Sequence, residues 1–166
     1  MVRVTRIDLL QVDDWERLRA LRLAAFQQDG QVFGSSLERE AGLKEMHWRM
    51  RLRSSPWFVA VDATDGDVGL VCVISEPGAG PTDRHLVSLW VAPNQRGRGV
   101  ADALMAFASS WAQADGGDTL SLWVTEDNRA ATALYERCGF VATGESMPLA
   151  RDRSRVEQRW ERRLVP

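Results

Sequence analysis

The sequence predicts a mixed α/β fold, with a central, mostly antiparallel sheet of about seven strands and about four flanking helices. The length of 166 residues fits a single domain over residues 1–166. An apolar fraction of 45%, with seven tryptophans, supplies side chains for one sizeable core. Strand and helix patterns follow one another in the order β-α-α-β-β-β-α-β-α-β-β, without a repeat or a linker that would divide the chain.

The first strand and the first helix follow from the spacing of apolar residues. A short strand contains Val2, Val4 and Ile7, and a helix is predicted over about residues 13–28. The apolar residues of this helix recur at helical spacing: Trp15, Leu18, Leu21, Ala25 and Phe26.

A second helix and a β-hairpin come next. After the turn-rich residues 29–36, helical spacing gives an apolar side that consists of Leu43, Met46, Trp48 and Met50. Pro56 ends this helix. The apolar runs 57–63 and 65–77 read as two strands joined by Thr64-Asp65-Gly66-Asp67, because Asp-Gly tolerates the positive φ of tight hairpin turns.

The centre of the chain combines another strand, a helix and a further strand. Residues 84–93 form the first of these strands, and a helix follows the glycines after it. One face of that helix carries Val100, Leu104, Phe107, Ala108 and Trp111. Gly116-Gly117 ends the helix, and residues 118–124 form the next strand.

The last part is predicted to contain one helix and two strands. The helix begins after Asn128, ends at Gly139 and has Ala131, Leu134, Tyr135 and Cys138 on one side. Strands follow at 139–145 and 155–164. In the second strand the residues expected to face water are Arg155, Glu157, Arg159, Glu161 and Arg163. This leaves Val156, Trp160 and Leu164 facing inward, although their spacing of four also fits a helix.

Charge and composition exclude several classes of protein. A formal net charge of −2 gives no electrostatic argument for nucleic-acid binding. The sequence has neither a signal peptide nor the roughly 20-residue apolar stretch that a membrane span needs, so we expect a cytoplasmic protein with no membrane partner. Cys72 and Cys138 have no CxxC spacing and are expected to be reduced core residues.

The stretch LWVAPNQRGRGVA, residues 89–101, passes from a strand through a glycine turn directly into a helix. The first amides of a helix lack intrahelical partners and attract anions, and glycine lets a phosphate approach closely. A Walker A loop is excluded because no lysine follows the glycines, Lys44 being the only lysine. The dinucleotide fingerprint fits poorly, because Gly97 and Gly99 are followed by Asp102 at its third glycine position.

Two motifs together resemble the GNAT superfamily of N-acetyltransferases. Arg96-x-x-Gly99-x-Ala101 resembles the family's acetyl-CoA loop, Gln/Arg-x-x-Gly-x-Gly/Ala. Downstream, WVTEDNRAATALYERCGF resembles its second signature, with Asn128, Ala131, Leu134-Tyr135 and Gly139-Phe140. The resemblance is specific over residues 84–142 and rests on the order of elements over residues 1–80. It implies a sheet splayed at the acetyl-CoA site.

The resemblance also implies how the cofactor, acetyl-CoA, is bound. The pyrophosphate would be held by the backbone amides of the loop, formed by Arg96, Gly97, Arg98, Gly99, Val100 and Ala101. The pantetheine amides would pair with the end of the strand at Leu89, Trp90 and Val91. Asn128 and Ala131 would contact the cofactor from the second signature, although an Asn at this position also suits a helix cap.

The resemblance implies Tyr135 as the general acid, because a phenol is protonated at neutral pH and can give a proton to a departing thiolate. Where many family members have a base, a Glu in the strand before the loop, this sequence has His85. If the strand is regular, His85 shares a face with Val87, Leu89 and Val91. Glu76 and Glu38 are the alternative bases, and a solvent-relayed base is a further alternative. No metal is expected, because no spacing typical of metal ligands occurs.

The acceptor is expected to be a primary amine of a small molecule or peptide, attacking the thioester directly. Candidate acceptor-site residues are Phe33, Glu38 and Glu76; Glu40 could also attract a cationic amine, and Arg151, Arg153 and Arg155 could bind an anionic group. A CoA-binding sensor without transfer activity and a nucleotide-dependent enzyme are the rival functions. Exposed strands near the C-terminus favour a homodimer.

Overall fold

The computed structural model describes residues 4–30 and 35–164, and it has the mixed α/β architecture expected from the sequence. Seven strands form one open sheet in the order β1-β2-β3-β4-β5-β7-β6. Their bounds are β1 Val4–Leu9, β2 Trp57–Asp62, β3 Gly66–Ile74, β4 Asp83–Val91, β5 Thr119–Thr125, β6 Val141–Leu149 and β7 Asp152–Arg163. The strand pairs β1–β2, β2–β3, β5–β7 and β6–β7 are antiparallel, whereas β4 and β5 run parallel at Asp83–His85 and Thr119–Ser121.

Five α-helices are present in the described residues, one more than expected. Their bounds are α1 Trp15–Asp29, α2 Leu37–Ala41, α3 Glu45–Ser54, α4 Val100–Ala114 and α5 Arg129–Arg137. The additional helix, α2, is capped at its N-terminus by Ser36, whose hydroxyl accepts a hydrogen bond from the Arg39 amide. None of the helices in these residues is long and apolar enough to cross a membrane.

Internal contacts divide the chain into two compact units. The first contains residues 1–73 and 88–108, and the second contains residues 74–87 and 109–166. The strand β4 and the helix α4 each contribute residues to both units. The single domain expected from the length stays a prediction.

The core of the first unit is formed by β2 and β3 with α1, α3 and the start of α4. All six residues of β2 are buried, and Leu18, Leu104 and Trp48 are fully buried against solvent. A Cβ at Gly69 of β3 would lie 3.2 Å from Leu104 and 3.3 Å from Val100. The absence of a side chain there lets α4 begin close to the sheet.

Two expected apolar faces were partly wrong. The buried residues of α3 are Trp48 and Leu52, whereas Met46 and Met50 are 61% and 55% exposed. In α4 Phe107 is 50% exposed, because the buried stripe runs through Leu104, Met105, Ala108 and Ala112. The helical period was read correctly in both cases, but its phase was off by about one position.

In the second unit, β7 lies between β5 and β6 and pairs antiparallel with both, and α5 connects β5 to β6 in the chain. Leu120, Leu122, Phe140 and Trp160 are buried. The C-terminal segment is a strand, not a helix, and it pairs with β5 from Thr119 to Thr125. Cys72, in the first unit, is buried as expected, whereas Cys138, in the second, is only half-buried; neither cysteine forms a disulfide.

Candidate active site

The glycine turn lies in the first unit and follows β4 through a short 3-10 turn at Pro93–Gln95. Gly97 and Gly99 have φ of +74° and +82°, a left-handed region that residues with a Cβ rarely adopt. The helix α4 begins at Val100, so its first amides lack i−4 carbonyl partners. This geometry favours glycine at both positions and suits the turn to an anion.

Asp29, at the end of α1, fixes the strand and the turn together. Its Oδ2 accepts hydrogen bonds from Trp90 Nε1 at 2.8 Å and from Arg96 Nη2 at 2.6 Å. Burial raises the pKa of Asp29, but the hydrogen bonds from Trp90 and Arg96 outweigh it, so that this pKa lies below its ordinary value. Arg96 Nε also donates to the Val91 carbonyl at 3.0 Å. The charge of Arg96 is therefore paired within the protein, although the side chain is exposed, as is Arg98.

Gln95 ties the turn to the hairpin between β2 and β3. Its side chain is buried and donates from Nε2 to Asp65 Oδ2. The hairpin has the expected left-handed glycine, Gly66, with φ of +74°. The turn before α4 is thus attached by side chains to α1 and to the hairpin before it reaches its glycines.

The strand β4 is not regular. Ser88 has φ of +63°, which interrupts the alternation of side chains along the strand in the manner of a β-bulge. The prediction that His85 shares a face with Val87, Leu89 and Val91 was conditional on a regular strand, and that condition fails at Ser88, between Val87 and Leu89. Beyond the interruption, Leu89 is half-buried while Trp90 and Val91 are buried.

In the second unit, His85 lies in a polar cluster. The cluster is defined by Glu76, Asp83, His85, Ser121, Trp123 and Arg159. His85 is only 3% exposed, its Nδ1 lies 2.8 Å from Ser121 Oγ, and its Nε2 lies 3.4 Å from Glu76 Oε2. Ser121 Oγ also donates to Asp83 Oδ2 at 3.1 Å.

Glu76 is the more accessible partner, with a side chain 25% exposed. Its Oε2 accepts from Trp123 Nε1 at 3.0 Å, and its Oε1 accepts from Arg159 Nη1. Burial raises the pKa of Glu76, but the hydrogen bonds from Trp123 and Arg159 and the neighbouring His85 outweigh it and lower this pKa below its usual value. Glu76 is thus held as a carboxylate.

The imidazole of His85 is held neutral. Burial lowers its pKa from 6.5, Arg159 acts in the same direction, and the carboxylates Glu76 and Asp83 oppose this only in part. Its tautomer depends on the single proton of Ser121. When that proton points to Asp83, Nδ1 must donate to Ser121, which leaves the Nε2 lone pair beside Glu76. In this state His85 can accept a proton at Nε2.

Glu76, Asp83 and His85 also offer three ligand atoms within 4.8 Å of one another, the spacing of a metal site. However, Arg159 donates to Glu76 and, at 3.3 Å, to Asp83. The guanidinium supplies the positive charge that a cation would bring, so this donor set does not favour a metal. The expectation of no metal stays a prediction.

Tyr135 lies on the buried side of α5, beside Phe140 at a ring-centroid distance of 5.9 Å. Burial raises the pKa of Tyr135 to about 12, so that the phenol keeps its proton at neutral pH. Asn128 caps α5, because its Oδ1 accepts from the Ala131 amide at 3.1 Å.

The acceptor-site candidates are more scattered. Phe33 lies outside the described residues, and Glu38 is exposed on α2. The expectation that Glu40 attracts an amine is not supported, because Glu40 is completely buried and paired with Arg22 and Arg51. Arg155 is paired with Asp127 at 3.0 Å.

Several residues of these clusters were missed from the sequence. Arg159 was expected to face water, yet its side chain is only 13% exposed and contacts Glu76, Asp83 and Ser121. Ser121 interrupts an apolar strand, DTLSLWV, and this could have marked it as a buried polar position. No local pattern indicated the role of Asp29.

The mixed α/β fold is that of known acetyltransferase structures. A family model described as the acetyltransferase (GNAT) family matches residues 14–140. The chain belongs to this family. A GNAT acetyltransferase from Streptococcus pneumoniae has the same fold, with a TM-score of 0.81 at 18% identity, covering 96% of this chain and 99% of that one.

Two curated relatives of this chain are named for different acceptors. Mycothiol acetyltransferase from Brachybacterium faecium is 33% identical over 102 residues, which is 58% of this chain and 31% of that protein. Peptidyl-lysine N-acetyltransferase YjaB from Escherichia coli K12 is 32% identical over 98 residues, 59% of this chain and 58% of that protein. The chain thus matches about a third of the length of the first relative and over half of the second.

The lowered pKa of His85 makes the stability depend on pH. Below 6.5 the unfolded chain binds more protons than the folded one, so the free energy of unfolding falls as the pH falls from that value; above it the contribution is complete. Glu76 acts in the same direction, but only below its ordinary pKa of 4.5. Between about pH 7 and about pH 5.5, we expect the free energy of unfolding to fall less in H85Q than in the wild type.

Denaturant unfolding at both pH values measures this difference. The matched control is H47Q, because His47 is the only other histidine and is exposed on α3. This variant also removes one histidine but leaves the contacts of His85 in place. Equal pH dependence in H85Q and wild type would contradict the assignment of a neutral, buried His85.

Proposed function

We propose that this chain is an acetyl-CoA-dependent N-acetyltransferase, which moves an acetyl group directly to a primary amine of a small molecule or peptide through a ternary complex. Membership of the acetyltransferase (GNAT) family supports the class of reaction. The name of the relative YjaB supports a lysine-type amine as one form of acceptor. The observation that carries transfer, as opposed to binding alone, is the pairing of Glu76 with His85.

Cofactor binding is assigned to the glycine turn and the strand before it. The amides of residues 96–101 would hold the pyrophosphate, with the left-handed Gly97 and Gly99 shaping the turn. The Arg96 amide itself lies 3.4 Å from the Pro93 carbonyl, so we assign the stronger contacts to the residues after it. Residues 89–91 would pair with the pantetheine amides. The resemblance to the family also assigns Asn128 and Ala131 to acetyl-CoA.

Many family members have a glutamate base in the strand before the loop. Here we assign its functions to two residues, Glu76 and His85. A carboxylate with a lowered pKa is a weak base but a good partner for an ammonium ion, and Glu76 is the exposed member of the pair. His85, neutral and 3.4 Å away, takes the proton, and Glu76 then stabilises the imidazolium. Because His85 is buried, we assign the transfer to a path along Glu76 or one water.

Tyr135 is proposed as the acid. The amine loses a proton to His85, attacks the thioester carbonyl and forms the C–N bond. The C–S bond breaks, and the phenol of Tyr135 donates to the departing thiolate. The raised pKa of Tyr135 ensures that this proton is present throughout the neutral range. As the tetrahedral intermediate collapses to the amide, the second proton of the amine restores the phenol of Tyr135, and His85 releases the first proton to solvent.

The location and assembly of the protein remain predictions. We propose a cytoplasmic protein and a homodimer, the latter because β6 is an edge strand whose residues are almost all exposed.

The variant Y135F tests catalysis. We expect kcat to fall about a hundredfold, the usual size of a general-acid contribution, with little change in the KM for acetyl-CoA. The measurement is thiol release over a panel of primary amines, with acetylated product confirmed by mass. The aromatic ring beside Phe140 is kept, so thermal unfolding should be close to wild type. Cofactor binding without thiol release, unaffected by Y135F, would instead indicate a sensor.

The variant G99V tests the cofactor turn. A branched side chain at φ +82° strains the turn and occupies the space proposed for the pyrophosphate, so we expect the KM for acetyl-CoA to rise at least about tenfold. The matched control is G78V, because Gly78 has the same φ of +82° in a turn before β4 and a Cβ there meets nothing within 4 Å. Equal values of KM in both variants would contradict the assignment of the turn.

A further inference from the structure

We propose that Arg22 of α1 is a positioning residue: it holds Ser88 in its left-handed conformation and thereby sets the path of β4 toward the glycine turn. The structural part of this proposal stands on the first unit alone. Its kinetic consequence rests on the proposed function, because the residues that β4 delivers are those assigned to acetyl-CoA.

The backbone at Ser88 needs an external cause. Among residues 4–30 and 35–164, Ser88 is the one non-glycine residue with positive φ. The left-handed region is disfavoured by the Cβ, and such residues persist only where their surroundings hold them. Ser88 lies inside a strand, where no turn sequence imposes this conformation.

The hydrogen bond from Arg22 supplies that cause. Arg22 Nη1 donates to Ser88 Oγ at 3.0 Å, and Arg22 Nη2 donates to Glu40 Oε1 at 2.9 Å. The two terminal nitrogens of one guanidinium therefore bind the strand and the helix α2 at the same time. The bond fixes the direction in which the Ser88 side chain leaves the backbone.

Arg22 is itself held by its surroundings. Its guanidinium lies 4.8 Å from the ring centre of Phe26 and 5.6 Å from that of Trp57. Glu40 is completely buried and also accepts from Arg51 Nη1 at 2.7 Å. Burial raises the pKa of Glu40, but the bonds and charges of Arg51 and Arg22 lower it overall, so its charge is retained. Ser88 is thus bound to a donor that is ordered in advance.

The helix α1 binds β4 and the turn after it through two of its side chains. Arg22 binds Ser88, and Asp29, seven residues later, binds Trp90 and Arg96. Seven residues of α-helix make about two turns and rise about 10.5 Å. Both contacts therefore come from the same side of the helix. Between them lie Leu89 and the backbone assigned to the cofactor. A change in the backbone conformation at Ser88 would therefore displace Leu89 and the backbone that follows it.

Arginine is specifically required by this arrangement. Lysine has one nitrogen on a flexible stem and cannot match the fixed fork that reaches Ser88 and Glu40 together. The variant R22K keeps the charge needed by Glu40 and weakens the link to Ser88. The matched control is R49K, because Arg49 forms ion pairs with Asp13 and Glu45 and not with β4.

The experiment measures amide hydrogen exchange at residues 88–91 and steady-state kinetics with acetyl-CoA. We expect R22K and S88A to raise exchange in this segment about tenfold over R49K, and to raise the KM for acetyl-CoA more than they lower kcat. S88G should be closer to wild type than S88A, because glycine adopts positive φ without a Cβ penalty. A purely packing role would make S88G at least as disruptive as S88A.

Each outcome decides one claim. Exchange in R22K equal to that in R49K would overturn the positioning role. Should R22K fail to fold, the serine pair decides, and equal exchange in S88A and S88G would overturn it. If exchange is altered in R22K but the wild-type protein shows no acetyl transfer, the positioning role is supported and the proposed function is refuted.

Discussion

The carboxylate of Asp29 is the contact on which the arrangement of the candidate cofactor turn depends. It lies at the end of α1 and receives both the indole N–H of Trp90 and the guanidinium of Arg96. Without it, a buried indole donor would lose its partner and Arg96 would no longer be held against the Val91 carbonyl. The backbone that leads to Gly97 and Gly99 is therefore positioned from a helix that comes much earlier in the chain.

Paired carboxylates serve two purposes in this protein, and solvent exposure separates them. Glu40 is completely buried, and its carboxylate is paired with two arginines. These ion pairs join α1, α2 and α3. Glu76 is also bound by an arginine, but a quarter of its side chain is exposed and His85 lies beside it. The first arrangement is structural, whereas the second leaves a carboxylate and a neutral imidazole available for proton transfer.

The sequence was most informative where local rules dominate. The strands, the hairpin glycine Gly66 and the helix cap Asn128 follow from spacing and turn chemistry, and the structure confirms all three. It was less informative where contacts join distant segments. Arg159 alternates with inward residues and was expected to face water, but Glu76 and Asp83, more than 70 residues earlier, bury it. The same applies to Arg22 and Ser88, which are 66 residues apart.

The central claim, that this chain binds acetyl-CoA, is tested most directly by thermal unfolding of the wild-type protein with added ligands. A ligand that binds only the folded state stabilises it by mass action, so saturating acetyl-CoA should raise Tm by about 5–10 °C at a hundredfold excess over Kd. NAD and ATP, the ligands of the rival nucleotide-binding loops, should leave Tm unchanged. An unchanged Tm with acetyl-CoA, or an equal increase with NAD or ATP, would contradict the account.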